Sequence, residues 1–177
     1  SLPHAAMMMI PEPWDRDDNI HDPLKAFYEY HSMLMEPWDG PTSIAFCDGR
    51  QIGAMLDRNG LRPGRYFITN DDHIIYASEV GVLDIPEEII VQKERLQPGQ
   101  LLLVDFNEGR IVPDQEIKER IAEEYPYRRW LNEHLVHVNE LPEVEVSSDI
   151  EEEVLIKRQK AFGYTYEELT KNIQPMI

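Results

Sequence analysis

Between Thr42 and Val112 the sequence is cut at short intervals by turn residues, and that spacing dictates an antiparallel sheet built of short hairpins. Asp48-Gly49 separates Thr42 to Cys47 from Arg50 to Leu56, where a glycine supplies the positive dihedral of a two-residue turn. Asn70-Asp71-Asp72 divides Arg65 to Thr69 from His73 to Ala77. Gln97-Pro98-Gly99 separates a strand at Val91 from Leu101 to Phe106, and Asn107-Glu108-Gly109 leads into Arg110 to Val112.

Helical patterns flank this region, so the chain reads as α+β. Ser1 to Ile10 is apolar on nearly every side, as a buried helix would be, and Pro11 and Pro13 stop it. It opens without Met and is expected to be the interior of a longer polypeptide. Asp22 to Glu36 carries Leu24, Phe27, Tyr28, Leu34 and Met35 at three-to-four spacing, with Asp22 as N-cap and Pro23 at the first helical position. His31, four residues after Phe27, is expected to be a core or boundary histidine. Asp114 to Glu123, with an N-cap Asp, and Tyr127 to Val136 are further amphipathic helices.

Asn139 to Glu153 holds seven acidic residues, no basic ones and Pro142, the composition of a solvated linker. The domains expected are therefore 1–138, a linker at 139–153 with Glu140, Glu143, Glu151 and Glu152 exposed, and 154–177. Running from the end of the linker into the last, Ile150 to Phe162 is predicted helical with Gly163 as its C-cap. Thr165 and Glu168 form a capping box that opens another helix.

Composition excludes several partners. Among 177 residues, 34 acidic against 17 basic give a net charge of −17. A phosphate binder needs clustered cations, so neither nucleic acid nor an anionic membrane is expected. No run reaches the roughly 20 apolar residues that span a bilayer, and no basic n-region precedes an apolar one, which makes the cytoplasm the expected location. One Cys and six His without ligand spacing predict no metal site. Cys47, inside a strand pattern, is expected to be an inert core thiol.

One loop carries more than architecture. Asp57 to Tyr66 packs three arginines, Arg58, Arg62 and Arg65, and two glycines, Gly60 and Gly64, into ten residues. Arginine forks bind carboxylates bidentately, and glycines let backbone amides approach a ligand. The same residues also suit structural ion pairs around a plain Asn59-Gly60 turn.

Several strings, in order, resemble the glutamate synthase large-subunit family: Ala6 to Trp14 (AMMMIPEPW), Phe27 to Ser32 (FYEYHS), Met35 to Pro41 (MEPWDGP), Asp57 to Pro63 (DRNGLRP) and Ala77 to Leu83 (ASEVGVL). The similarity runs from Ser1 to about Arg129. Arg158 to Met176 resembles the start of that family's central domain. The resemblance implies part of a four-layer αββα N-terminal-nucleophile hydrolase fold, two antiparallel sheets covered by helices, from the back half of a class-II glutamine amidotransferase domain. In that family an N-terminal cysteine, with its own α-amino group as base, releases ammonia from glutamine; a flavin domain then uses it to make glutamate.

By chain order, the nucleophile, the glutamine-holding Arg and Asp, and the oxyanion Asn-Gly pair belong upstream of Ser1. The fragment is therefore expected to be inactive alone, with no catalytic residue. Asn59, Gly60 and Arg62 are carried over as a turn near the substrate pocket. FMN, an iron–sulfur cluster and NADPH or ferredoxin belong to the full enzyme, with none in this fragment. The expected partner is the rest of such a chain, with a small subunit as a further candidate. Half a two-sheet sandwich would leave apolar faces open, at Met7, Met8, Met9, Phe27 and Met35. Two alternatives stay open: a fragment of another class-II amidotransferase, such as the purine-pathway phosphoribosyl enzyme, and a non-catalytic scaffold module of the same fold.

Overall fold

Strand pairing follows the turn chemistry locally and departs from it at longer range. The computed structural model describes residues 1–143 and 150–176. β1 (Ser43–Cys47) and β2 (Gln51–Leu56) form the expected hairpin, with Cys47 opposite Ile52. Its positive φ falls on Gly49 alone, and Asp48 Oδ1 accepts the Arg50 and Gln51 amides. β3 (Arg65–Thr69) and β4 (Ile74–Ala77) form the second hairpin. β5 (Ile90–Arg95) pairs with β3, however, while β6 (Leu101–Asp105) pairs with β2 and β7 (Arg110–Val112). There are thus two antiparallel sheets, ordered β1-β2-β6-β7 and β4-β3-β5. This corrects the single run of hairpins: Gln97-Pro98-Gly99 carries the chain between sheets.

Alternation along β2 and β6 serves two cores. Met55, Leu101 and Leu103 face helices, joining Met7 of α1 (Leu2–Met9), Phe27 of α2 (Asp22–Ser32), Ile117 of α3 (Asp114–Ala122) and Leu131 of α4 (Tyr127–His134). Ala54, Leu56 and Leu102 face the second sheet, packing with Leu96, Tyr66, Ile74 and Tyr76. The order of layers is therefore helices, first sheet, second sheet. Leu24, Phe27, Tyr28 and His31 make one buried stripe along α2, Leu24 and Phe27 each contributing about 1.5–3 kcal/mol by burial.

The structure corrects several helix details. α2 is capped by His21, so Asp22 sits in the first turn, where Arg128 pairs with it at 2.9 Å. It ends at Ser32, leaving Leu34 exposed and Met35 beyond the helix although both fit its period. α3 is capped by Pro113, and the Asp114 carboxylate accepts the Leu101 amide instead of capping its own helix. Met7 and Phe27 are fully buried, and Met8, Met9 and Met35 half-buried, so none forms an open apolar face. The exposed apolar residues include Val80, Val82, Leu83 and Val91 instead.

Contacts divide the chain into Ser1–Leu135 and Val136–Ile177. In the second unit Val138–Glu140 is one 3-10 turn, and Glu140, Pro142, Glu143, Glu151 and Glu152 are exposed. The middle of the acidic stretch, 144–149, lies outside the described residues. α5 (Glu152–Ala161) starts two residues later than predicted, and Gly163 follows it with φ 79°. Thr165 and Glu168 exchange the reciprocal bonds of a capping box at 3.1 Å each, opening the helical stretch Glu168–Ile173. Among the described residues no helix is long and apolar enough to cross a membrane.

Candidate functional site

The Asp57–Arg65 loop lies where the chain makes both of its crossings between sheets. It runs from β2 of the first sheet to β3 of the second, and the return crossing at Gln97–Gln100 packs on it: the Gly99 amide donates to Asp57 O at 3.2 Å, and the Leu96 amide to Gly64 O at 2.9 Å. A Cβ on Gly60, whose φ is 62°, would stand 2.6 Å from Pro98 Cγ, so the turn accepts only glycine there.

A residue that sequence reasoning passed over organises the loop. Asp57, only 3% exposed, has its carboxylate inside the turn. Oδ1 accepts the Asn59 and Leu61 amides at 3.1 and 3.0 Å, and Oδ2 accepts those of Arg62 and Thr42 at 3.2 and 3.3 Å. The Gly60 amide donates to Asp57 O at 3.0 Å. Burial pushes this carboxyl up, but the amides of Leu61, Arg62, Thr42 and Asn59 together hold it below the usual carboxylate value. The signal was present in the sequence: an Asp directly ahead of Asn-Gly is placed for an Asx turn.

This changes how the predicted site residues can act. Asn59, Gly60 and Arg62 do fall in one turn, with Asn59 and Arg62 exposed. All four amides from Asn59 to Arg62 are taken by Asp57, so the expectation that they approach a ligand is corrected. The loop already holds a carboxylate, its own, and the side chains remain for any ligand. Arg58 reaches Asp39 at 3.5 Å and lines a cleft of about 470 Å³ with Met8, Trp14 and Met35. Arg62 makes no ion pair among the described residues; its charge lies close enough to Tyr76 to oppose the upward push of burial on that phenol. Tyr76 Oη and Ser43 Oγ are 2.6 Å apart, and a Cβ on Gly64 would meet Tyr76 Oη at 2.4 Å.

Cys47 is not a core thiol. β1 is the edge of its sheet and Cys47 its last residue, so the side chain is exposed, with Sγ 3.4 Å from the Gly49 amide. The cleft it borders is lined by groups such as Ile52, Ile74, Tyr76 and Val104, and by no His, Lys or Arg. Among the described residues no three His, Cys, Asp or Glu side chains are grouped as around a metal ion.

A two-sheet α+β body with the Asp-Arg-Asn-Gly-Leu-Arg-Pro turn at its sheet crossing agrees with the family comparison: residues 1–130 match the family described as Glutamine amidotransferases class-II, and the chain belongs to it. Its relatives narrow the class further. The glutamate synthase [NADPH] large chain of Bacillus subtilis is 56% identical over 98% of this chain and 11% of its own length. A glutamate synthase [NADH] of Schizosaccharomyces pombe is 48% identical over 99% of the chain and 9% of its own. Ferredoxin-dependent glutamate synthase 2 of Synechocystis is 42% identical over 97% of the chain and 11% of its own. The chain thus spans about a tenth of the length of these relatives.

Proposed function

We propose that this chain is the back half of the amidotransferase region of a glutamate synthase, an oxidoreductase converting glutamine, 2-oxoglutarate and reductant to two glutamates. The observation that carries the reading is the 56% identity to a glutamate synthase large chain over nearly the whole sequence. The relatives named are all glutamate synthases, which favours this over the purine-pathway alternative. On this reading 1–138 belong to the amidotransferase domain, 139–153 are a linker, and 154–177 begin the central domain. The helix, sheet and sheet layers are three of the four in an αββα sandwich, and the rest of the longer chain supplies the fourth. The complete enzyme is cytoplasmic, and NADPH, NADH or ferredoxin reduces it, as the relatives' names say of those proteins. One Cys cannot furnish the thiolates of an iron–sulfur cluster, so such a cluster does not fit this chain.

The nucleophile on this reading lies elsewhere in the longer protein, because the cleft that Cys47 borders is lined by no His, Lys or Arg that could activate a thiol. The 177-residue chain is expected to release no ammonia from glutamine in a coupled glutaminase assay. Turnover that disappears in Cys47→Ala would overturn this.

Asn59, Gly60 and Arg62 form a turn at the mouth of the glutamine pocket, with Arg62 offering a guanidinium that makes no ion pair among the described residues. In the full-length enzyme, Arg62→Ala is expected to lower glutamine-dependent synthesis about tenfold, the worth of one charge-assisted hydrogen bond, while sparing ammonia-dependent synthesis. Equal loss of both activities would reduce Arg62 to a structural residue.

A further inference from the structure

A pair of histidines joins α1 to α2 with both ring orientations fixed. His31 Nδ1 lies 2.8 Å from Phe27 O, and a carbonyl only accepts, so this nitrogen carries the proton. In the neutral ring Nε2 is then a bare acceptor. It faces His4 Nε2 at 3.0 Å, which must therefore donate. That assignment leaves His4 Nδ1 without a proton, 3.9 Å from the Glu124 carboxylate. The rings sit among aromatics: Phe27 is 4.2 Å from His31 and 5.1 Å from His4 between centroids, and Tyr127 is 5.2 Å from His31.

We infer that His4 and His31 are a proton-sharing clasp that accommodates one added proton and is broken by the second, making the seating of α1 on α2 pH-dependent. The first proton enters at His4 Nδ1, where it meets Glu124. The bridging proton can then reside on either Nε2, so the charge belongs to the pair. A second proton would place two N–H groups head to head across 3.0 Å in an aromatic enclosure, and the rings must separate. Burial lowers both imidazoles below their ordinary value, and for His4 the charge of His31 adds to this. A group so depressed contributes stability that is present above its unfolded value and lost as pH falls through its folded one.

The charges that face the clasp come from every side. Glu124, following α3, stabilises the first proton, and the Ser1 amino group of α1 opposes it. The Tyr30 and Tyr127 rings flank His31. Glu12, Asp15, Arg16 and Arg58 share with His31 the cleft of about 470 Å³, so opening the clasp would reshape that cleft's wall. This inference does not depend on the amidotransferase reading.

The test is an imidazole NMR titration of the 177-residue chain, with amide exchange of Ala5 to Ile10 followed in parallel. Two steps separated by more than about one pH unit are expected for the pair, with exchange in α1 rising at least tenfold through the lower step. In His4→Gln the low step should vanish, and His31 should titrate about one pH unit higher than in the lower step of the parent. Glu124→Gln, a substitution at an exposed residue that leaves both rings in place, should move the upper step down. A His31 midpoint unchanged by His4→Gln, an upper step unmoved by Glu124→Gln, or α1 exchange indifferent to pH would each overturn the clasp.

Discussion

Asp57→Ala should destabilise the chain by about 4 kcal/mol, because one side chain closes the loop on which both sheet crossings rest. Removing the carboxylate leaves the amides of Thr42, Asn59, Leu61 and Arg62 without their acceptor. Since Asn59, Leu61 and Arg62 are exposed, water replaces part of each bond, which limits the loss to about 1 kcal/mol apiece. Asp57→Asn keeps one oxygen but turns an NH₂ toward two donors, so about half the loss is expected. The carboxyl is held below its ordinary value, so its contribution is present above the unfolded value of 3.8 and lost as pH falls through the lower, folded one. Urea midpoints at neutral pH and near pH 3 check both parts. An alanine variant as stable as the parent, or an asparagine variant with undiminished acid sensitivity, would mean the turn stands without Asp57.

The same loop shows where sequence reading reaches its limit. The seven strands were legible because each is delimited by residues that act locally, such as Gly49, Asp72, Gly99 and Gly109, all of positive φ. The division into two sheets was implied by the family resemblance but not by the turns, since Gln97-Pro98-Gly99 has hairpin chemistry whichever strands it joins. That choice is made by contacts distant in sequence, such as those gathering Leu56, Leu96, Leu102 and Tyr76 into one core. Leu34 and Met35 continue the period of α2, yet the helix stops at Ser32; a period shows which side chains could face a core, not whether the core reaches them. Cys47 misled in the opposite way, because strand alternation cannot tell an edge strand from a central one.

The candidate site was legible as a place but not as a mechanism. The arginines, the glycines and Asn59 were visible, whereas the use of every amide from Asn59 to Arg62 by Asp57 follows only from the folded turn. The sequence offered arginine forks and backbone amides for a carboxylate; the folded turn spends the amides on Asp57 and leaves the arginine side chains. What remains for glutamine, on the reading proposed, is side chain rather than backbone. That is why the test falls on the Arg62 guanidinium.

Lys118→Met should cost about 3 kcal/mol, although it replaces a cation with an apolar side chain of similar length in a largely buried place. Lys118 Nζ lies 2.8 Å from Asp114 Oδ2 and 3.2 Å from Glu12 Oε2, and its side chain is only 9% exposed. Glu12 also accepts from Tyr28 Oη at 3.1 Å; burial and then the Glu12 charge push that phenol well above its ordinary value. The lysine therefore ties α3 to the Pro11–Trp14 segment, which lines the cleft of about 470 Å³, and through Glu12 to Tyr28 of α2. Without it two carboxylates face each other beside the core. Each keeps about a quarter of its side chain in water, which places the loss at the lower end for a broken ion pair. Adding Glu12→Gln removes one stranded charge while keeping an acceptor for Tyr28, so the double variant should recover about 1 kcal/mol over Lys118→Met alone. Denaturant midpoints of the parent, both single variants and the double variant close this cycle. Strictly additive losses would mean that Glu12 and Lys118 are neighbours without coupling, and that α3 is held by its apolar face alone.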